Sequence, residues 1–234
     1  MRAQDSFGGD ELLTLTYYGH CAFLWTSAQG IRVLIDPFGN SESSYWFSRP
    51  FPPTEADVVL VTHDHFDHNA TNDLPGRPTL LRGPGAFRLR DVRIEGVLDV
   101  HSAAPGARGM ANTLFVIEID GVRYCHIGDN RHDVPEEVRV RLGRVDVLMV
   151  TVDDSCHLLS YAQVDALVDA LDPRVVVPMH YYIEGLTTKG STLKEPAGWL
   201  ASRSPVRAPD PLVISARDLP ETQQTWVLAP HGLL

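Results

Sequence analysis

Cysteine is scarce in this sequence. The 234 residues hold three, Cys21, Cys125 and Cys156, an odd number with no CxxC spacing. That argues against a disulfide framework or a thiolate zinc site and predicts buried, reduced thiols in a cytoplasmic protein. Long apolar runs are missing too. No stretch approaches the ~18 residues that a spanning helix needs, so no membrane partner is expected. The opening MRAQDSFGGD has no charged stretch followed by an apolar core and does not read as a signal peptide. Nor is there a cluster of Lys and Arg. With a formal net charge of -10, nucleic acid is a poor partner, since proteins that grip phosphate backbones carry basic patches. No repeat, low-complexity segment or linker divides the chain, and the length suits one domain, 1–234.

What is present reads as α/β. Short strand-like runs occupy 12–17, 22–26 and 31–35, separated by Gly19-His20 and Gln29-Gly30. A loop from 37 to 54 carries Tyr45, Trp46 and Phe47. The nearly continuous apolar run 57–61 suits a strand buried on both faces. Further strands are predicted over 92–100, 113–119, 122–127, 145–150 and 175–177. Helices are predicted over 135–142 and over 161–171, the second with Ser160 as N-cap and ended by Asp172-Pro173. The Pro-rich tail offers one hairpin, from 212 to 227.

The ten histidines include an informative run, His63-Asp64-His65-Phe66-Asp67-His68, just past the strand 57–61. Alternate side chains of an extended segment point the same way, so His63 and His65 can close on one ion. If the chain then turns into a helix, Asp67 and His68 face a second. Neutral imidazole and carboxylate are ligands of zinc, manganese and iron. A solvated polar loop is the bland alternative, but this spacing rarely arises by accident. Three more strand ends deliver candidates: His101 after Val100, Asp129 after Gly128, and His180 after Met179. Strand C-termini are where α/β folds place ligands.

The motifs Tyr18-Gly19-His20, Leu34-Ile35-Asp36-Pro37, Val61-Thr62 with the histidine run, His101-Ser102, Ile127-Gly128-Asp129 and Val177-Pro178-Met179-His180-Tyr181 resemble the metallo-β-lactamase superfamily. Within it the chain is similar to a branch of predicted metal-dependent hydrolases that includes ascorbate-6-phosphate lactonase. The likeness spans roughly residues 14–184. It implies a four-layer αβ/βα sandwich with the site at one edge. It also implies two divalent ions, zinc first, with manganese or iron as alternatives. His63, His65 and His101 would hold the first ion, Asp67, His68 and His180 the second, and Asp129 would bridge them. Relatives often carry a Gly-containing turn after the strand 145–150. This chain has Asp153-Asp154-Ser155-Cys156-His157 instead, and Asp153, Asp154 and His157 either line the pocket or form a solvated loop.

Two ions ~3.5–4 Å apart share and acidify a water. A metal-bridging hydroxide, held by Asp129, is therefore expected to attack a small-molecule ester or lactone. His20 is a candidate to contact substrate or protonate the leaving group, or else a structural turn histidine. Asp36 is a candidate to hold a ligand imidazole by hydrogen bonding, or else a turn cap. Tyr45, Trp46 and Phe47 either wall the pocket or anchor the loop. Tyr181 and Tyr182 are candidates for a substrate oxygen, with core burial expected of at least one. His126 is expected in the core, and His132 and His231 on the surface. Two alternatives stand: a phosphodiesterase acting on a small phosphodiester, and a non-catalytic metal-binding or sensor protein. A redox member would need an iron pair and usually a flavin partner domain, which is not visible here. The expected partner is a small-molecule substrate, with a homo-oligomer compatible with the sequence.

Overall fold

The computed structural model describes residues 13–102, 110–153 and 158–233. Its first half is built from β1 (Thr14–Gly19), β2 (Ala22–Thr26), β3 (Arg32–Ile35), β4 (Val58–Leu60) and β5 (Thr79–Leu81). β1, β2 and β3 pair antiparallel, whereas β4 and β5 continue the sheet in parallel. In β1 buried and half-buried residues alternate, turning Leu15 and Tyr17 to the interior. β4 is apolar on both faces and buried throughout, as its unbroken run predicts.

The second sheet opens with a meander of β6 (Gly85–Leu89), β7 (Val92–Val100), β8 (Ala111–Ile119) and β9 (Val122–His126). After helix α1 (Glu136–Leu142) comes β10 (Val147–Thr151), then helix α2 (Tyr161–Leu171) and β11 (Val175–Met179). β9, β10 and β11 are parallel. α2 starts on a capping box between Ser160 and Gln163 and ends at a left-handed Asp172. Val164, Leu167 and Val168 are its buried stripe. The chain closes with α3 (Ala197–Leu200), β12 (Val206–Ala208), β13 (Leu212–Val213) and β14 (Gln224–Leu228).

The strand orders are β13-β1-β2-β3-β4-β5 and β12-β14-β11-β10-β9-β8-β7-β6. The sheets face each other across the core, where the Trp25 ring of β2 meets Tyr124 of β9 at 5.7 Å. Among the described residues, no helix is long and apolar enough to cross a membrane. This is the α/β sandwich expected, with one correction. The stretch 212–227 is not a hairpin: β13 extends the first sheet beside β1, whereas β14 joins the second beside β11 and β12. Trp226 and Leu228 bury against the second sheet, and that burial outweighs a local pairing with a two-residue partner. The short strands β5, β6 and β12 and the helix α3 were not predicted. They carry few of the β-branched alternations that mark a strand.

Candidate metal centre

The candidate ligands sit past the ends of four strands. β4 leads to His63, β7 to His101, β9 to Asp129 and β11 to His180. The histidine run does not enter a helix, as one reading of it expected. It stays in a turn, with His68 N donating to His65 O at 3.1 Å. The loop after β3 holds this turn from outside: Gly39 N donates to Phe66 O, and Ala70 N to Pro37 O. That support replaces the intrahelical bonds a helix would have provided.

Two four-residue clusters result, and Cys21 lies close to His68 and Asp129 as well. His63, His65, His101 and Asp129 form one, and His20, Asp67, His68 and His180 the other; within each, candidate ligand atoms lie within 4.8 Å of one another. Asp129 Oδ2 lies between them, 3.8 Å from His63 Nε2, 3.4 Å from His101 Nε2, 3.5 Å from His68 Nε2 and 3.3 Å from His180 Nε2. Most of these spacings are long for hydrogen bonds. Two ligand atoms on one tetrahedral zinc, each about 2.0–2.1 Å from it, stand roughly 3.3 Å apart, close to the values seen. The buried atoms His68 Nε2, His101 Nε2 and Asp129 Oδ1 have no hydrogen-bond partner. Such orphaned atoms are costly unless something else satisfies them. A pair of divalent ions fits this donor set.

Four of the imidazoles are also steered from behind, whereas His65 Nδ1 lies 3.1 Å from His63 Nε2. His68 Nδ1 lies 2.8 Å from Asp36 Oδ2, and His63 Nδ1 3.0 Å from Thr62 Oγ1. His101 Nδ1 meets the Ser102 carbonyl, and His180 Nδ1 lies 3.2 Å from Asp153 Oδ2. Asp36 is itself fixed by donation from the Thr62 amide and hydroxyl. This is the arrangement by which proteins orient metal-bound histidines. Asp36 thus takes the expected supporting place. Asp153, which sequence reasoning offered as a pocket residue, is buried behind His180. Asp154, Cys156 and His157 lie outside the described residues.

His20 is 1% exposed, and its Nε2 lies 3.0 Å from Asp67 Oδ2. Its backbone carbonyl accepts from His180 N at 3.0 Å, tying two strand tips together. His20, Asp36 and His180 all have positive φ, at 55°, 44° and 57°. Such backbone is uncommon outside glycine and gathers at functional sites.

Electrostatics divides the histidines. Burial lowers the pKa of His63 to about 3, with the neighbouring His68 adding to the effect. Burial and nearby His180 lower His20 to about 4 against the opposing pull of Asp67. Burial would lower His68 as well, but the charges of Asp129, Asp67 and Asp36 outweigh it and raise His68 to about 10. His180 is raised in the same way, chiefly by Asp129. Asp129 is held well below the usual carboxylate range because His180 and His68 outweigh the cost of its burial. These shifts favour the charged carboxylate, the form in which Asp acts as a ligand.

The other candidates separate cleanly. Phe47 is buried against Phe38 and edge-on to His20, whereas Tyr45 is exposed. Trp46 stands between these extremes, 5.4 Å from the Phe66 ring and 6.4 Å from that of His180. Tyr181 is buried and Tyr182 half-buried. His126 is in the core, as expected, with Nε2 2.9 Å from the Cys21 carbonyl. His231 is exposed, but His132 is half-buried rather than fully on the surface. Cys21 and Cys125 are buried free thiols.

Gly128 shows how tightly Asp129 is delivered. Its φ is +55°, and a Cβ there would meet Thr62 Oγ1 at 2.6 Å and Asn112 Oδ1 at 2.7 Å. Gly128→Ala is therefore expected to destabilise the fold by about 2–4 kcal/mol, from backbone strain and the clash together. A denaturant midpoint close to that of the unsubstituted protein would contradict this.

Two facing sheets with a His/Asp cluster at one edge define a metal centre of the metallo-β-lactamase type. The chain belongs to the beta-lactamase superfamily domain family, whose model matches residues 14–180. It is 30% identical to a UPF0173 metal-dependent hydrolase of Anaeromyxobacter sp. (strain K), over 71% of this chain and 74% of that protein. It is 29% identical to a UPF0173 metal-dependent hydrolase of Thermococcus onnurineus, over 73% of this chain and 85% of that one. The crystal structure of a metallo-beta-lactamase superfamily protein from Thermotoga maritima superposes with a TM-score of 0.72 at 27% identity. It covers 92% of this chain and 98% of its own.

Proposed function

We propose that this metal-dependent hydrolase uses two divalent ions, zinc first, to cleave a small-molecule ester or lactone. The observation that carries the reading is the single Asp129 oxygen placed within 3.3–3.8 Å of four imidazole nitrogens from both clusters. His63, His65 and His101 would hold the first ion and Asp67, His68 and His180 the second, with Asp129 between them. Bound there, such a pair supplies Lewis acidity and an activated water at neutral pH.

The chain's own residues do the rest. Asp36, Thr62 and Asp153 hold the imidazoles in place. His20 keeps Asp67 aimed into the centre. With a pKa near 4, His20 carries no spare proton at neutral pH, so positioning suits it better than protonating a leaving group. A cavity of about 380 Å³ is lined by His63 with apolar Val61, Leu98 and Met110 and polar Thr62, Asp64 and Thr113. That size suits a compact substrate. Arg82 also lines this cavity and donates to Asn69 and Thr71, with Asp64 nearby.

Screening zinc-loaded and chelator-treated protein on lactone, ester and phosphodiester panels tests the reading. Metal-dependent turnover of lactones or esters is expected. Turnover confined to phosphodiesters replaces the substrate class. Full metal occupancy without turnover on any panel favours a binding or sensing role.

A further inference from the structure

Next to the metal centre lies a second polar cluster that none of the candidate ligands accounts for. Asp99, near the end of β7, is 6% exposed. Its carboxylate accepts from Arg131 through Nε at 3.0 and 3.2 Å and through Nη2 at 2.7 Å. Asn130 is fully buried and donates through Nδ2 to Asp99 Oδ2 at 2.8 Å. Asn130 Oδ1 accepts from Asn112 Nδ2 on β8 at 2.9 Å, and that same amide donates to the Ile127 carbonyl at 2.8 Å. Backbone bonds complete the join: Ser102 N donates to Asp129 O at 2.6 Å and Arg131 N to Val100 O at 3.3 Å. His101 and Asn130 pair as an isolated bridge.

The order along the chain is telling. Asp99 precedes the candidate ligand His101 by two residues, and Asn130 and Arg131 directly follow the candidate ligand Asp129. The cluster therefore locks segment 99–102 to segment 129–131, and each segment carries one ligand of the first cluster. His101 Nε2 and Asp129 Oδ2 are 3.4 Å apart, and His101 Nε2 makes no hydrogen bond. No strong direct bond sets that spacing, so the join behind it must. Stability alone is a poor explanation, because an ion pair whose guanidinium is partly exposed gains little net free energy. What such a pair does supply is a fixed geometry through its bidentate fork.

We propose that Asp99, Asn130 and Arg131, backed by Asn112, are positioning residues that hold His101 and Asp129 at chelating distance and so set the affinity of the first metal site. The proposal rests on reading the His/Asp clusters as a two-ion centre.

Two variants test it, Asn130→Ala and Arg131→Lys. Arg131→Lys keeps a cation beside Asp99 but loses the fork. Zinc affinity of each site is measured by competition with a chromophoric chelator, next to thermal unfolding of the metal-depleted proteins. Asn130→Ala is expected to weaken the first site by about 10–100-fold, the usual cost of losing a partner behind a ligand, and to weaken the second less, because the second shares only Asp129 with the clamped segments. Arg131→Lys is expected to shift affinity in the same direction by less. If Asn130→Ala fails to fold, the half-buried Arg131 position carries the comparison, with selective weakening of the first site still required. Unfolding temperatures that drop while both zinc affinities stay at the wild-type values overturn the proposal, since the cluster then serves stability alone. Equal weakening of both sites overturns it as well. A wild-type protein that does not take up two zinc ions removes the two-ion reading itself, and that failure is visible in the wild-type arm alone.

Discussion

Asp129→Asn is expected to lower kcat/KM on whatever substrate the panels identify by roughly a hundred- to ten-thousand-fold, the range seen when one charge-stabilising or proton-transferring group is removed. The substitution keeps the side chain's shape and one acceptor oxygen. It removes the negative charge that faces His63, His68, His101 and His180 at once. The six other candidate ligands divide between the clusters, so Asp129 is the carboxylate placed to face both cations, with Asp67 facing only one. The fold should survive, because Asp67, His68 and His180 still surround one position and the backbone of Asp129 still accepts from Ser102. Metal content should fall toward one ion per chain. His132→Ala is the matched control, since His132 is half-buried and belongs to neither cluster. Near-normal turnover of Asp129→Asn with two ions bound would mean that the carboxylate does not bridge.

Chelation is expected to cost stability as well as activity. Ligands from four strand ends and both sheets converge on this edge, so a bound ion ties the two halves of the sandwich together. A ligand present at a thousand times its dissociation constant stabilises the folded state by about 4 kcal/mol. For a domain of this size that corresponds to a loss of roughly 8–16 °C in Tm when the metal is removed. The effect has a second source. Asp36, Asp67 and Asp129 are gathered in one buried place, and protonated His68 and His180 are left to offset their repulsion. Thermal scans before and after chelation, with zinc added back, measure the effect. An unchanged Tm would mean that the strand ends hold their positions without an ion.

Much of this centre was readable in one dimension because its ligands lie at points where a strand stops. A strand-like run ending in His or Asp is a local signal, and His63, His101, Asp129 and His180 each follow such a run. The spacing His63-Asp64-His65-Phe66-Asp67-His68 is likewise local, and all seven candidate ligands come together in space. Helices α1 and α2 followed from local signals too, since the N-cap and apolar stripe of α2 and the Pro135 before α1 are properties of neighbouring residues. What lay hidden was everything set by distant pairing. The turn that holds Asp67 and His68 depends on the loop after β3, so a helix was a fair reading of those residues by themselves. Asp99, Asn112, Asn130 and Arg131 carry no motif. Nothing in their spacing distinguishes a buried clamp from a solvated turn, although Asn130 and Arg131 directly after Asp129 were the available hint.

By itself, then, the sequence determined the ligand types, the strand ends that carry them and the class of chemistry open to them. Periodicity, chain breaks and donor chemistry are set within a few residues. Only the tertiary structure decided which candidate ligands lie side by side, which residue stands behind an imidazole, and which sheet the tail strands join. It turned Asp153 from a pocket candidate into the support of His180, and His20 into the partner of Asp67. It also sent β13 and β14 to opposite sheets. Those outcomes turn on burial and on contacts between residues far apart in the chain, where the removal of apolar surface and the pairing of buried charges outweigh any local preference.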